Sequence, residues 1–103
     1  MAVLDALQAM LARGQDSALL RYSLGGEYLK LGEADKALEH LRRALAHDPN
    51  YSAAYKLLGK ALTDLGQDAE AAQAYEAGIR VAEAKGDIQA AREMTVFLKR
   101  LRK

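Results

Sequence analysis

The segment LGGEYLKLGEADKA at residues 24–37 returns as LGKALTDLGQDAEA at residues 58–71. Each copy begins with a Leu-Gly pair, has a second Leu-Gly pair seven residues later, and ends with an alanine. The constant offset of 34 residues extends to residues 18–51 and 52–85, which we assign as repeat 1 and repeat 2. A repeat of about this length predicts stacked supersecondary units that share a continuous core.

Each copy has the pattern of two antiparallel helices. Apolar residues between Ala34 and Leu45 recur at three- and four-residue steps, which places them on one face of a helix. Gly32 and Gly66 stand where a helix must end, because glycine adopts the left-handed conformation without a Cβ clash. Pro49 closes repeat 1, since proline cannot continue a helix. The sequence therefore predicts helix hairpins.

Small residues inside the helices predict close packing. Gly25 and Gly59 each cost about 1 kcal/mol relative to alanine in a helix interior. Such a cost is tolerable where another helix approaches the backbone. We therefore expect large side chains, Tyr28, Leu41 and Tyr75 among them, to fill the spaces between the helices.

The composition independently predicts an all-α protein. The chain has 21 alanines and 17 leucines against 3 valines and 2 isoleucines, and only one proline. The absence of cysteine excludes disulfides and thiolate metal ligands, and it fits a reducing, cytoplasmic location. A net charge of +1 offers little attraction to nucleic acid or an anionic membrane. No apolar run approaches the roughly 18 residues that span a bilayer, and the first helix, which carries Asp5, does not resemble a signal peptide.

The repeated pattern resembles the tetratricopeptide repeat, a family with a period of about 34 residues. The matching residues are Leu24, Gly25, Tyr28, Ala37, Leu41, Ala44 and Pro49 in repeat 1, and Tyr55, Leu58, Gly59, Leu62, Ala71, Tyr75 and Gly78 in repeat 2. Arg21 departs from the motif at a position that is usually aromatic. Glu83 replaces the closing proline of repeat 2, so we expect that helix to run a turn longer. The resemblance implies an antiparallel helix-hairpin stack, a right-handed α-superhelix of about six helices, that binds proteins and is not an enzyme.

The same register accounts for both ends of the chain. We interpret residues 2–12 as an N-terminal half-repeat helix and residues 87–102 as a C-terminal capping helix, within a single domain over 1–103. Arg92 and Glu93 stand at the Leu-Gly place of the register, so no third repeat follows. The residues of the first helix that a preceding repeat would bury are Val3, Leu7 and Met10.

No catalytic, cofactor or metal site can be assembled from the sequence. His40 and His47 are seven residues apart on one predicted helix, roughly 10 Å, which is too far to share a metal ion. We interpret them as surface histidines. Gly25 and Gly26 are not followed by the Lys-Ser or Lys-Thr pair of a phosphate loop. The hydroxyl residues have no histidine near them in sequence, so we expect no enzyme, no metal and no cofactor.

In the resembled family, the first helices of successive repeats line a concave groove that holds a peptide or a partner's helix. The corresponding residues here are Leu19, Tyr22, Ser23, Gly26 and Lys30 in repeat 1, and Ala53, Lys56, Leu57, Lys60, Thr63 and Asp64 in repeat 2. Lys30, Lys56 and Lys60 outnumber Asp64, and Tyr22 adds an aromatic surface. We therefore hypothesise an acidic or carboxylate-ending ligand. The alternative is that these are ordinary solvated lysines.

Some relatives hold a chaperone's C-terminal carboxylate with a clamp of lysines and asparagines. Only Lys56 occupies a matching place here, and Lys60 stands where asparagine is expected. Asp87 and Ala91 stand where basic groups are expected. The resemblance therefore does not extend to that partner.

The last predicted helix allows a second interpretation, which is self-association as a weak homodimer or as an accessory subunit of a larger assembly. Its apolar arc covers nearly half the circumference, and Met94, Phe97 and Leu101 are the candidate contacts. The alternative is that this helix only caps the stack. The basic residues at 99–103 suit either an acidic partner or the dipole at the end of a helix.

Overall fold

Six α-helices make up the computed structural model, which describes residues 2–103. They are α1 (Ala2–Ala12), α2 (Ala18–Lys30), α3 (Ala34–His47), α4 (Ser52–Asp64), α5 (Asp68–Lys85) and α6 (Ile88–Leu101). This part of the chain contains no β-strand, so the predicted all-α class is confirmed. The molecule measures 41 × 28 × 19 Å along its principal axes.

The helices form two layers. Each helix packs against the next one along the chain, so that α2 with α3 and α4 with α5 make successive hairpins. In addition, α2 contacts α4, and α4 contacts α6. The helices α2, α4 and α6 therefore lie side by side, with α3 and α5 behind them. The predicted stack of helix hairpins is confirmed.

Glycine lets the two helices of each hairpin approach closely. A Cβ on Gly25 would lie 2.6 Å from Cδ2 of Leu41, and a Cβ on Gly59 would overlap the ring of Tyr75. Real Cβ atoms essentially never come within 3.0 Å of another heavy atom. Leu41 and Tyr75 thus fill the spaces that the two glycines leave, as the sequence predicts.

Local capping fixes where the helices begin and end. The Ser17 hydroxyl accepts a hydrogen bond from the Leu20 amide at 3.1 Å, and the Asp87 carboxylate accepts one from the Ala90 amide at 3.3 Å. The longest helix, α5, has 18 residues against 14 in α3, as expected where no proline ends it. Gly86 follows it at φ 75°. None of the helices described is long and apolar enough to cross a membrane.

The core consists of two clusters that share partly buried leucines. One lies between α2 and α3 around Leu24 and Leu41, and the other lies between α5 and α6 around Tyr75 and Met94. Helix α1 has no fully buried residue. The expectation that Val3 would be buried is wrong, because this side chain is exposed. The α1 side chains that pack against the core are Leu4, Leu7, Met10 and Leu11.

Candidate partner-binding groove

A groove of about 1050 Å³ lies along the layer formed by α2, α4 and α6. Helix α1 closes one end with Val3 and Leu7, and α6 closes the other with Phe97, Arg100 and Leu101. The lining residues from the helices between these ends are Tyr22, Ser23, Gly26, Glu27, Leu29, Lys30, Leu57, Lys60, Thr63, Asp64 and Tyr75. The side-by-side arrangement of the inner helices therefore creates one continuous depression.

The sequence-predicted groove residues divide into two groups. Those that line the groove are Tyr22, Ser23, Gly26, Lys30, Leu57, Lys60, Thr63 and Asp64. Leu19 is exposed outside the groove, and Ala53 and Lys56 precede Leu57, the first residue of α4 that lines it. The face assigned from the sequence thus covers the middle of the groove and extends past it at the N-terminal end of each helix.

The floor of the groove is apolar. The Tyr75 ring packs against Phe97 with a centroid distance of 5.7 Å and an interplanar angle of 34°. Burial raises the pKa of the Tyr75 hydroxyl, and this side chain belongs to the core as well as to the groove. Leu57 reaches across the inner layer to Gly26, where a Cβ would meet its Cδ1 at 3.7 Å. A ligand with apolar side chains fits this floor.

Charged side chains stand on the rim of the groove. Lys30 Nζ lies 2.9 Å from Glu27 Oε2, so that lysine is already paired. Lys60 Nζ lies 5.0 Å from the Phe97 ring centroid. On the part of the chain that the structure describes, neither Lys60 nor Arg100 has a carboxylate within 4.0 Å. Asp64 has no ion pair there either, so the unpaired groups at the α4–α6 end are two cations and one anion, and their net charge is positive.

Lys56 does not belong to that set of cations. Its Nζ lies 3.1 Å from Glu93 Oε1 and ties α4 to α6 outside the groove lining. The three lysines grouped from the sequence are therefore not equivalent, since one is paired across helices, one is paired within its helix, and Lys60 remains available.

The residues considered for self-association lie in different places. Met94 is 0% exposed, and its sulfur would clash with a Cβ on Gly78, so the expectation that it could meet a second copy is wrong. Phe97 and Leu101 are partly buried and line the groove. The exposed apolar residues of α6 are instead Ile88 at 55% and Val96 at 46%.

A buried polar network stands where the sequence shows Arg21 in place of an aromatic residue. Arg21 is 8% exposed, and it donates hydrogen bonds from Nε and a terminal nitrogen to the Asp16 carboxylate at 2.8 and 2.9 Å. It also donates to His40 Nδ1 at 3.1 Å. His47 Nε2 donates to Asp16 Oδ1 at 3.0 Å. The network ties the start of α2 to α3.

The electrostatics of this network follow from its geometry. The Arg21 guanidinium holds the pKa of the Asp16 carboxyl well below its ordinary value, with a smaller effect from His47. Burial, together with the Arg21 charge, lowers the pKa of His40. The His40 ring also stacks on Tyr28 at 5.4 Å, with an interplanar angle of 7°. The interpretation of His40 as a surface histidine is therefore wrong, since it is half-buried and bonded.

Over residues 2–103, no three His, Cys, Asp or Glu side chains come together in a way that could hold a metal ion.

Comparison with known proteins identifies the family. A tetratricopeptide-repeat family model matches residues 28–94. A tetratricopeptide-repeat-containing protein of Pseudomonas aeruginosa is 52% identical over 99 residues, which cover 96% of this chain and 94% of that protein. The chain belongs to the tetratricopeptide-repeat family.

Solved structures show the same architecture. The solution structure of a Bordetella parapertussis protein is 48% identical, with a TM-score of 0.87 over 98% of this chain and 88% of that one. The second tetratricopeptide-repeat domain of human RPAP3, solved in complex with the HSP70 peptide SGPTIEEVD, is 28% identical. Its TM-score is 0.81 over 97% of this chain and 78% of that one. The fold is thus one that serves as a protein-interaction module.

Proposed function

We propose that this chain is a non-catalytic interaction module that binds a peptide or an extended segment of a partner protein in the groove. The observation that carries the proposal is the groove itself, with its apolar floor and its unpaired cations at one end. Its walls are helices held by their own core packing, so the ligand bears most of the ordering cost on binding. The ligand class is acidic, because, among the described residues, the two groove cations without a carboxylate partner, Lys60 and Arg100, outnumber the one unpaired carboxylate, Asp64.

The neighbouring structures support a peptide ligand. The human RPAP3 domain is solved with a peptide that carries three acidic residues among nine. That domain shares the fold of this chain over nearly its whole length. A cytoplasmic location, expected from the cysteine-free composition, remains a prediction.

A groove-filling variant tests the proposal. The added Cβ of Gly26→Leu enters the groove, where it meets Leu57 Cδ1 at an ordinary 3.7 Å, and Gly26 does not have a positive φ. We expect the peptide acetyl-GSDEFDEGS-amide, titrated at low ionic strength, to shift the amide resonances of Gly26, Leu57 and Lys60. In Gly26→Leu these shifts should be lost while the fold is retained.

The matched control for that variant is Ala69→Leu, which adds the same side chain at an exposed position of α5 outside the groove. It should bind the peptide as the unmodified protein does. Shifts confined to other surfaces, no shifts at all, or equal binding by Gly26→Leu would each refute the groove assignment.

A second candidate function is self-association through α6, as a homo-oligomeric or accessory subunit. The observation that favours it is the exposure of Ile88 and Val96 on this helix. Sedimentation equilibrium at several concentrations tests it, and Val96→Asp should weaken any dimer because it places a charge on the contact. A species that stays monomeric at every concentration removes this candidate.

A further inference from the structure

Two helices place a cation on the same aromatic ring at one end of the groove. Lys60 Nζ of α4 lies 5.0 Å from the Phe97 ring centroid, and Arg100 Cζ of α6 lies 5.7 Å from it. All three side chains line the groove. A ligand side chain that contacts Phe97 would therefore lie within reach of two positive charges.

The two cations differ from the other basic groups nearby. Lys30 is paired with Glu27, Lys56 is paired with Glu93, and Arg102 is paired with Glu76. In the described part of the chain, the contacts of Lys60 and Arg100 are instead with the Phe97 ring. A cation on an aromatic face keeps its capacity to pair with an anion, since the ring offers only a weak attraction at an exposed site.

Within residues 2–103, two cations stand against one unpaired acidic residue, Asp64, at this end of the groove. Asp64 lies on α4 one turn after Lys60 and also lines the groove. Its carboxylate is farther than the 4.0 Å ion-pair limit from Lys60. Glu27 lies on α2 and is held by Lys30 at 2.9 Å. The charge around Phe97 thus favours an anionic ligand.

An apolar platform surrounds the ring. Tyr75 packs on Phe97 from the core side, and Leu57 and Leu101 line the groove beside it. Phe97 is itself partly exposed, so part of its side chain is open to a ligand. The combination of a flat apolar surface and flanking cations matches a large apolar side chain with carboxylates next to it in sequence.

We propose that Lys60, Phe97 and Arg100 form the specificity subsite of the groove. It takes a large apolar side chain of a partner segment on Phe97, while acidic residues before and after that side chain pair with Lys60 and Arg100. This inference rests on the proposed function. It specifies that the α4–α6 end of the groove determines ligand specificity, and that the ligand carries a large apolar residue between acidic residues.

Three peptides separate the contributions of charge and apolar contact. They are acetyl-GSDEFDEGS-amide, its neutral counterpart acetyl-GSNQFNQGS-amide, and acetyl-GSDEGDEGS-amide, which lacks the apolar side chain. We expect the first to bind most tightly, by calorimetry or amide shifts, and the other two to bind about tenfold or more weakly. Added salt should weaken the first and leave the neutral peptide unchanged.

Charge-removing variants identify the residues. Lys60 and Arg100 are both exposed, so Lys60→Gln and Arg100→Gln should fold normally. Each should weaken the acidic peptide about 3- to 10-fold and leave the neutral peptide unaffected. The matched control is Lys99→Gln, which removes the same charge from α6 outside the groove lining and should leave all three affinities unchanged.

The outcomes distinguish this subsite from the groove as a whole. Equal binding of the acidic and neutral peptides, or equal losses in Lys60→Gln and Lys99→Gln, overturns the subsite while the Gly26→Leu test still supports the groove. If none of the peptides binds and Gly26→Leu changes nothing, the proposed function itself is refuted.

Discussion

The ring of Tyr75 occupies the space that a side chain at Gly59 would need. A Cβ built on this glycine would lie 2.7 Å from the Tyr75 Cδ1 atom and closer still to two further ring atoms. Tyr75 is 2% exposed, and the same ring packs against Phe97. The contact therefore sets the distance between α4 and α5 and supports the floor of the groove.

The first prediction is that Gly59→Ala destabilises the protein. Overpacking costs about 1–3 kcal/mol, and the rigid aromatic ring cannot yield as a flexible side chain would. Alanine regains about 1 kcal/mol over glycine in a helix interior. We expect a net loss of up to about 2 kcal/mol in the free energy of unfolding, measured by urea titration with circular dichroism.

Gly26→Ala is the matched control for this change, because its Cβ meets only Leu57 Cδ1, at 3.7 Å. It should stabilise the protein by up to about 1 kcal/mol. If both alanines shift the urea midpoint in the same direction, the close contact between Tyr75 and Gly59 does not govern stability.

The second prediction concerns Met94, which the sequence left as a candidate for contact with another copy. Because it is fully buried, Met94→Ala should reduce the free energy of unfolding by about 2–5 kcal/mol and leave any oligomeric equilibrium unchanged. Val96→Ala, on the exposed side of α6, should change stability by less than about 0.5 kcal/mol. Thermal melts and sedimentation of both variants check this, and a stable Met94→Ala protein with altered association would reverse the assignment.

The third prediction addresses the ion pair at the start of α2. Asp16→Ala leaves the buried Arg21 guanidinium without its carboxylate, so it should lower the melting temperature more than Lys36→Ala, which removes an exposed pair with Glu33. The double variant Asp16→Ala/Arg21→Leu should recover part of the loss, since no buried charge is then left unpaired. Strictly additive effects of the two changes would contradict the network.

The fourth prediction is that the stability of the fold depends on pH through the titration of His40. Its folded-state pKa lies below the ordinary 6.5, so the unfolded chain takes up a proton first as the pH falls. The stabilising contribution of the neutral His40 ring is therefore complete above about pH 6.5, and it is lost as the pH falls through the folded-state pKa. The charged groups around the ring are Arg21 and Arg43, which oppose protonation, and Glu39 and Asp16, which favour it.

Melting temperatures between about pH 7.5 and about pH 5 test this sign. They should fall in the unmodified protein and fall less in His40→Asn, which retains an acceptor near Arg21 but does not titrate. The lowered pKa of Asp16 adds a loss of the same sign at still lower pH, below its ordinary 3.8. An equal pH slope in both proteins would exclude His40 as the titrating group.

Local chemistry made the helices and their stacking predictable from sequence. Glycine and proline mark the helix ends, the apolar period marks the buried faces, and the 34-residue offset pairs equivalent positions. The mid-helix glycines also identified the close contacts with Leu41 and Tyr75. These signals lie within one helix or between helices that adjoin along the chain.

What the sequence could not show depends on contacts between distant positions. Asp16 and His47 are 31 residues apart and meet only because the hairpin folds back on the start of α2. The apolar face of α6 is broader than packing against a single helix requires, because this helix contacts both α5 and α4. Met94 and Leu98 serve the core while Phe97 and Leu101 serve the groove, a division that no pattern within the helix reveals.

Tyr75 belongs both to the core of the α4–α5 hairpin and to the floor of the groove. This double role limits how the ligand preference of the protein can change. Any replacement of that ring disturbs the hairpin as well as the recognition surface, so a new ligand preference cannot readily arise there. Lys30, Lys60 and Arg100 have no such second role, because these side chains are exposed and lie outside both core clusters. Natural or engineered variants would therefore change their ligand preference through substitutions of the charged residues on the rim, while the aromatic floor of the groove is retained.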